Sequence, residues 1–197
     1  MKVKDIINII EEFAPLGIQE KWDNSGLCIG SPEDEVTSVL MGLDCTSELV
    51  EEAIACGADM IVTHHPLIFS GLKKISPETQ VGRAVIKAVK AGVSIYAAHT
   101  SADKVLGGVS GDMARRIGLT GVEILQKDGD DIGLGVVGNL PQPMTSVDVV
   151  SLVKERFGLK VVKVSRPLDG MVSRVAMCGG SGGSLIGEAR RAGAQLY

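Results

Sequence analysis

The chain has no C-x-x-C pair, no apolar run of bilayer length, no basic stripe and only three histidines, and each shortage narrows what it can be. Its four cysteines, Cys28, Cys45, Cys56 and Cys178, are scattered, which excludes a zinc knuckle or a dithiol redox motif and suits a reducing compartment. The opening stretch MKVKDIINIIEEFAPLG puts Glu11 and Glu12 where a signal peptide needs its apolar core. A cytoplasmic protein with no membrane partner is therefore expected. The net charge of -4 argues against a nucleic-acid partner, which would call for a basic face. The pairs Lys73-Lys74, Arg115-Arg116 and Arg190-Arg191 read as solvated helix or loop faces.

What is present describes a globular α/β protein. At 197 residues the chain can bury roughly 70% of its unfolded surface. Hydrophobic residues make up 45% and charged residues 22%, while 25 glycines suit many tight strand-to-helix turns. Ile6, Ile9, Ile10 and Phe13 fall at helical spacing, and Pro15 with Gly17 stops the pattern. Beyond WDNSGLCIG the signals alternate: SVLMGL as strand, SELVEEAIACG as helix, DMIVTHH as strand, a helix from about 77 to 89, then VSIYAA as strand. That order implies a mostly parallel sheet with crossover helices. A further helix is expected over 107–119, a strand in DIGLGVVGNL, a helix capped by Thr145 in MTSVDVVSLVKERFG and a strand in KVVKVS. The change of texture places two lobes at 1–125 and 126–197.

The segment 36–61 can be laid on 172–197 without a gap, at a constant offset of 136 positions. Val39 then meets Val175, Met41 meets Met177, Leu49 meets Leu185, Ala53 meets Ala189, and Gly57-Ala58 meets Gly193-Ala194. A fixed offset with matching chemistry is the mark of an internal duplication. Two similar α/β lobes follow from it. In the first copy the next residues are Val62, Thr63, His64 and His65, whereas the second stops at Tyr197, so the C-terminal lobe is expected to be incomplete.

All three histidines fall at the ends of expected strands, where open α/β sheets bind ligands. His64 and His65 close DMIVTHH, and His99 closes VSIYAAH with Asp103 four residues on. Histidine with carboxylate suits zinc, iron or manganese, and the lack of thiolates argues for an open rather than a closed structural site. Adjacent side chains leave a strand on opposite faces, so two diverging imidazoles could each serve one ion of a dinuclear hydrolytic pair. The competing reading makes His64-His65-Pro66 a hydrogen-bonded strand end and Asp103 a helix cap. In WDNSGL, Trp22, Asp23 and Asn24 could line the crevice, or Trp22 could be a buried anchor for the first helix. Asp44 could reach the site from its own strand tip or cap the helix beginning near Ser47. CGGSGGS has the look of a phosphate cradle, but no P-loop lysine follows, and close backbone packing accounts for it more simply.

Taken in order, WDNSGLCIG, VTHHPLIF, AAHTSADKVLGGVSGDMARRIGL and GGSGG followed by AGAQLY resemble the GTP cyclohydrolase I type 2 homologues, the Nif-three-like family, over nearly the whole chain. The resemblance implies a duplicated α/β fold, a homohexameric ring and a dinuclear metal centre. It puts the metal ligands on His64, His65 and Asp103 and gives His99 a supporting or proton-handling role rather than direct ligation. It also implies two divalent ions, zinc, iron or manganese, incompletely held here because the family's later histidine and glutamate ligands follow the counterpart of Tyr197. Ala102 stands where the family usually has a larger apolar residue. The implied activity is hydrolysis of a nucleotide or related phosphorylated metabolite, the alternative being a non-catalytic, metal-binding ring protein that serves partners.

Overall fold

The computed structural model describes residues 1–166 and 169–197. They form two compact units, Met1–Ala102 and Asp103–Tyr197. The lobe boundary expected at residue 125 falls inside a strand of the second unit.

The first unit begins with helix α1 (Val3–Phe13), then β1 (Gly26–Ile29), β2 (Val39–Asp44), α2 (Ser47–Cys56), β3 (Met60–His65), α3 (Gln80–Ala91), β4 (Ser94–Ala97) and the start of the short α4 (Thr100–Lys104). Its sheet has the order β1-β4-β3-β2; β2, β3 and β4 run parallel and β1 is antiparallel to β4. Strand alternation sorts the side chains into two cores. Met60 and Tyr96 pack with Val3 of α1, with Ile6, Ile7, Ile10 and Val62 around them. On the opposite face Ile61 and Ile95 pack against Val50 and Ala53 of α2 and Ala84, Val85 and Ala88 of α3. The sheet is thus covered on both sides, and its open feature is the end where β3 and β4 release their histidines.

The second unit holds α5 (Val109–Arg116), β5 (Thr120–Lys127), β6 (Gly133–Thr145), α6 (Ser146–Phe157), β7 (Met171–Met177) and α7 (Ile186–Arg191). Its sheet, β5-β6-β7, is antiparallel throughout. Val136 and Val175 face Ala114 of α5 and Val149 of α6. Val137 and Ala176 face Leu185 and Ala189. KVVKVS, expected as a strand, carries none: residues 160–165 are irregular. It is rich in valine, but among the described residues no neighbouring strand pairs with it, and propensity without a partner does not make a sheet.

The local geometry of the two overlaid segments agrees at the offset of 136. Val39 pairs in parallel with Met60, and Val175 bridges in parallel to Leu196. Gly57 and Gly193 both end their helices with φ of 71° and 74°, a left-handed conformation that glycine adopts without strain. The Asp59 carboxylate accepts the amides of Thr37 and Ser38 and the Thr37 hydroxyl. At the equivalent positions the Gln195 amide oxygen accepts the amides of Ser173 and Arg174 and the Ser173 hydroxyl.

Candidate metal centre

His64 and His65 end β3, and Pro66, with no N-H to give a neighbouring strand, ends the ladder. His64 belongs to the α1 face of the sheet with Met60 and Val62, and His65 to the other face with Ile61 and Thr63. At the sheet's tip their ring centroids nevertheless come within 4.9 Å. The Thr63 hydroxyl donates to the His65 carbonyl at 2.8 Å, a local bond that fixes the backbone as the strand finishes. The imidazoles therefore meet rather than diverge. His99, released by β4, stands 5.2 Å from His64 and 5.4 Å from His65, edge-on to both rings. One donor atom from each histidine lies within 4.8 Å of the others, a group that could hold a metal ion.

The protonation of each ring follows from its partner. His64 Nδ1 is 3.1 Å from the Ala98 carbonyl, His65 Nδ1 is 2.7 Å from Asp44 Oδ1, and His99 Nδ1 is 2.8 Å from Asp23 Oδ1. Carbonyls and carboxylates only accept, so each ring donates from Nδ1, and in its neutral form the lone pair that could meet a cation is the one on Nε2. Backbone or carboxylate support behind each imidazole is the usual build of a histidine metal site. The donor set fits a borderline divalent cation.

Asp23 is the most elaborately held of these supports. Its side chain is fully buried. Besides His99, its oxygens accept the Asn24 amide at 2.7 Å, the Ser25 hydroxyl at 2.8 Å, the Thr100 amide at 3.0 Å and the Thr100 hydroxyl. Burial alone would raise the carboxyl's pKa, but the bonds from the Thr100 hydroxyl, His99, Ser25 and the Thr100 amide outweigh it and hold the group well below the usual carboxylate range. Asp23 is an anion placed to orient His99.

The remaining candidates sort by position. Asp44 supports His65, while the cap of α2 is Thr46, which accepts from the Leu49 amide. Trp22 is not a buried anchor: it is 59% exposed and lies edge-on to His99 at 6.0 Å. Asn24 donates to the Ile68 carbonyl at 2.6 Å and ties the turn before β1 to the loop after β3. Asp103 sits on α4, in the second unit, where a side chain on Gly179 would come within 3.9 Å of its carboxylate. The cap of α5 is Gly108, not Asp103. In the glycine loop at 179–183 packing requires two of the glycines, since a Cβ on Gly182 would lie 2.1 Å from the Tyr197 hydroxyl and one on Gly179 would lie 2.8 Å from Val109, while Gly180 takes a left-handed φ of 67°. Phe69, Ser25 and Thr100 were missed by sequence reasoning, although each stands within a motif quoted for its histidines or aspartates.

A family profile described as Duf34/NIF3 (NGG1p interacting factor 3) matches residues 1–197. The chain belongs to the Duf34/NIF3 family. Among relatives of this Duf34/NIF3 protein, a GTP cyclohydrolase 1 type 2 homolog of Clostridium perfringens is 37% identical over 198 aligned positions, covering 100% of this chain and 76% of the relative. A protein NIF3 homolog of Schizosaccharomyces pombe is 33% identical over 191, covering 90% of this chain and 69% of the relative. Among solved structures, a Bacillus cereus protein related to NIF3 superposes with a TM-score of 0.93 at 26% identity, covering 100% of this chain and 81% of the other. Reduced HcgD from Methanocaldococcus jannaschii superposes at 0.82 and 26% identity, covering 97% and 75%. Among the described residues no helix is long and apolar enough to cross a membrane.

Proposed function

We propose that this Duf34/NIF3 member is a metal-dependent hydrolase of the GTP cyclohydrolase type that acts on a nucleotide or related phosphorylated metabolite through a dinuclear centre. The observation that carries the reading is the convergence of three imidazoles whose Nδ1 protons are already committed to fixed acceptors. A divalent cation bound there supplies Lewis-acid polarisation and brings the pKa of water toward neutrality. His64 and His65 offer Nε2 as ligands, and Asp103 is assigned as a carboxylate ligand from the family motif alone. His99 is the proton handler: its Nε2 takes the proton while the buried Asp23 anion at Nδ1 balances the charge gained, the division of labour of a His-Asp pair. The ions are zinc, iron or manganese, the compartment is the cytoplasm, and the working assembly is a homohexameric ring.

The test pairs metal analysis with turnover. Purified protein is expected to take up zinc, iron or manganese and to hydrolyse nucleotides or phosphoesters above a chelator-treated control. His64→Ala should lose both metal and turnover, whereas His99→Ala should keep metal and lose turnover. Metal uptake without any turnover would leave the second reading, a metal-binding ring protein that serves partners. One observation favours that alternative: the family's description, NGG1p interacting factor 3, speaks of a partner rather than a reaction.

A further inference from the structure

Aromatic side chains are scarce in this chain, with one tryptophan, two tyrosines and three phenylalanines. Two of the six stand together in solvent beside the histidines. Trp22 is 59% exposed and Phe69 is 52% exposed, although large rings are ordinarily among the groups most thoroughly removed from water. Their centroids are 5.9 Å apart with the rings tilted by 51°, so they touch each other and leave no slot between them. They make an open corner instead. The corner is anchored at its base, because both rings lie edge-on to His99, at 6.0 and 6.4 Å with interplanar angles of 73°. The bond from Asn24 to the Ile68 carbonyl holds the two segments together.

We propose that Trp22 and Phe69 form a stacking platform for the planar heteroaromatic ring of a ligand whose polar remainder reaches the three imidazoles. An exposed aromatic corner at the mouth of a polar site offers one π face for flat stacking and a second for an edge-on contact, the two arrangements aromatic pairs prefer. Purine and pyrimidine rings stack on such surfaces without needing a matching hydrogen-bond pattern. The platform spans two side chains, which suits one ligand ring rather than a protein interface of ordinary size. It sharpens the hydrolase reading by naming the part of the substrate bound away from the reacting atoms, and it rests on that reading only for what the histidines do.

Trp22, the sole tryptophan, makes the idea directly measurable. Guanosine 5′-monophosphate and ribose 5-phosphate, which share a phosphorylated ribose and differ by the ring, are titrated into the full chain by calorimetry and tryptophan fluorescence, with manganese and after chelation. The nucleotide is expected to bind roughly tenfold or more tightly than the sugar phosphate and to quench Trp22 saturably. Trp22→Ala and Phe69→Ala should bring the ratio of the two affinities close to one with circular dichroism and manganese uptake unchanged, while Trp22→Phe keeps most of the preference. Equal affinities for the two probes in the wild-type protein, no saturable nucleotide binding, or an unchanged ratio in Trp22→Ala would overturn the proposal. So would a Trp22 signal that follows protein concentration alone, which would give the corner to contact between copies. Manganese uptake separates the failures: uptake without ring preference removes the platform alone, and ring preference without uptake removes the dinuclear hydrolase alone.

Discussion

Asp23 shows how much of a histidine site can hang on one carboxylate. Replacing it with alanine removes the acceptor of His99 Nδ1 and strands the donors of Asn24, Ser25 and Thr100. Asp23→Ala should keep its manganese or zinc but lose about 10- to 100-fold in turnover, and thermal unfolding should show a loss of about 1–3 kcal/mol. The three histidines were legible in the sequence because each ends an apolar run. The partnership of Asp23 with His99 was not, because the two stand 76 residues apart and nothing local to either names the other. Thiols give a second expectation at this scale. Burial pushes Cys28 up to about 11 and Cys45, with Cys28 adding to the effect, up to about 12. In the unfolded chain such thiols ionise near 8.5. The folded state thus gains stability from keeping them protonated, in full below about pH 8.5, and loses it as pH rises toward 11 and 12. Urea midpoints should fall across that window, and at pH 8 a thiol reagent should label the exposed Cys56 well before Cys45.

Helices were the most legible elements, because their ends are written in single residues. Thr46, Thr79 and Thr145 accept the amides of Leu49, Gly82 and Asp148, and Gly57, Gly92 and Gly158 close the same helices in the left-handed conformation. Strands β1 and β5 were not foreseen, since neither GLCI nor TGVEILQK alternates cleanly and each takes its strand character from the neighbour it pairs with. Glycine in α3 carries a sharper expectation than glycine at a helix end. A Cβ on Gly82 would lie 2.0 Å from the Ser76 carbonyl oxygen and 2.8 Å from the Thr79 hydroxyl that caps the helix, whereas one on Gly57 meets nothing within 4 Å. Gly57→Ala should cost about 1–2 kcal/mol for its backbone conformation alone. Gly82→Ala should lower the melting temperature further, because the obstacle is backbone and cannot swing aside.

For the whole molecule, the offset of 136 positions joined two segments that fold alike, down to a side-chain clamp built on Asp59 in one and Gln195 in the other. What the alignment could not show is that the sheets around them differ, parallel strands dominating the first unit and antiparallel strands forming the second. A shared strand-helix-turn leaves the remaining strands free to join from either direction. The two clamps should part company in acid. The amide and hydroxyl of Thr37 and the amide of Ser38 hold Asp59 below its ordinary value, so its contribution is present above about pH 4 and lost as pH falls through the depressed folded value. Gln195 has no charge to lose. Hydrogen exchange between pH 5 and 2.5, corrected for intrinsic rates, should show the Thr37 and Ser38 amides losing protection while Ser173 and Arg174 keep theirs.

One consequence of the fixed Nδ1 protons concerns speed rather than strength. Rings that neither flip nor change tautomer before coordination present no barrier of their own to an arriving cation. Loading should then keep pace with how fast each ion sheds its hydration water, with sluggishly exchanging nickel filling the pocket far more slowly than manganese in a stopped-flow mixing experiment.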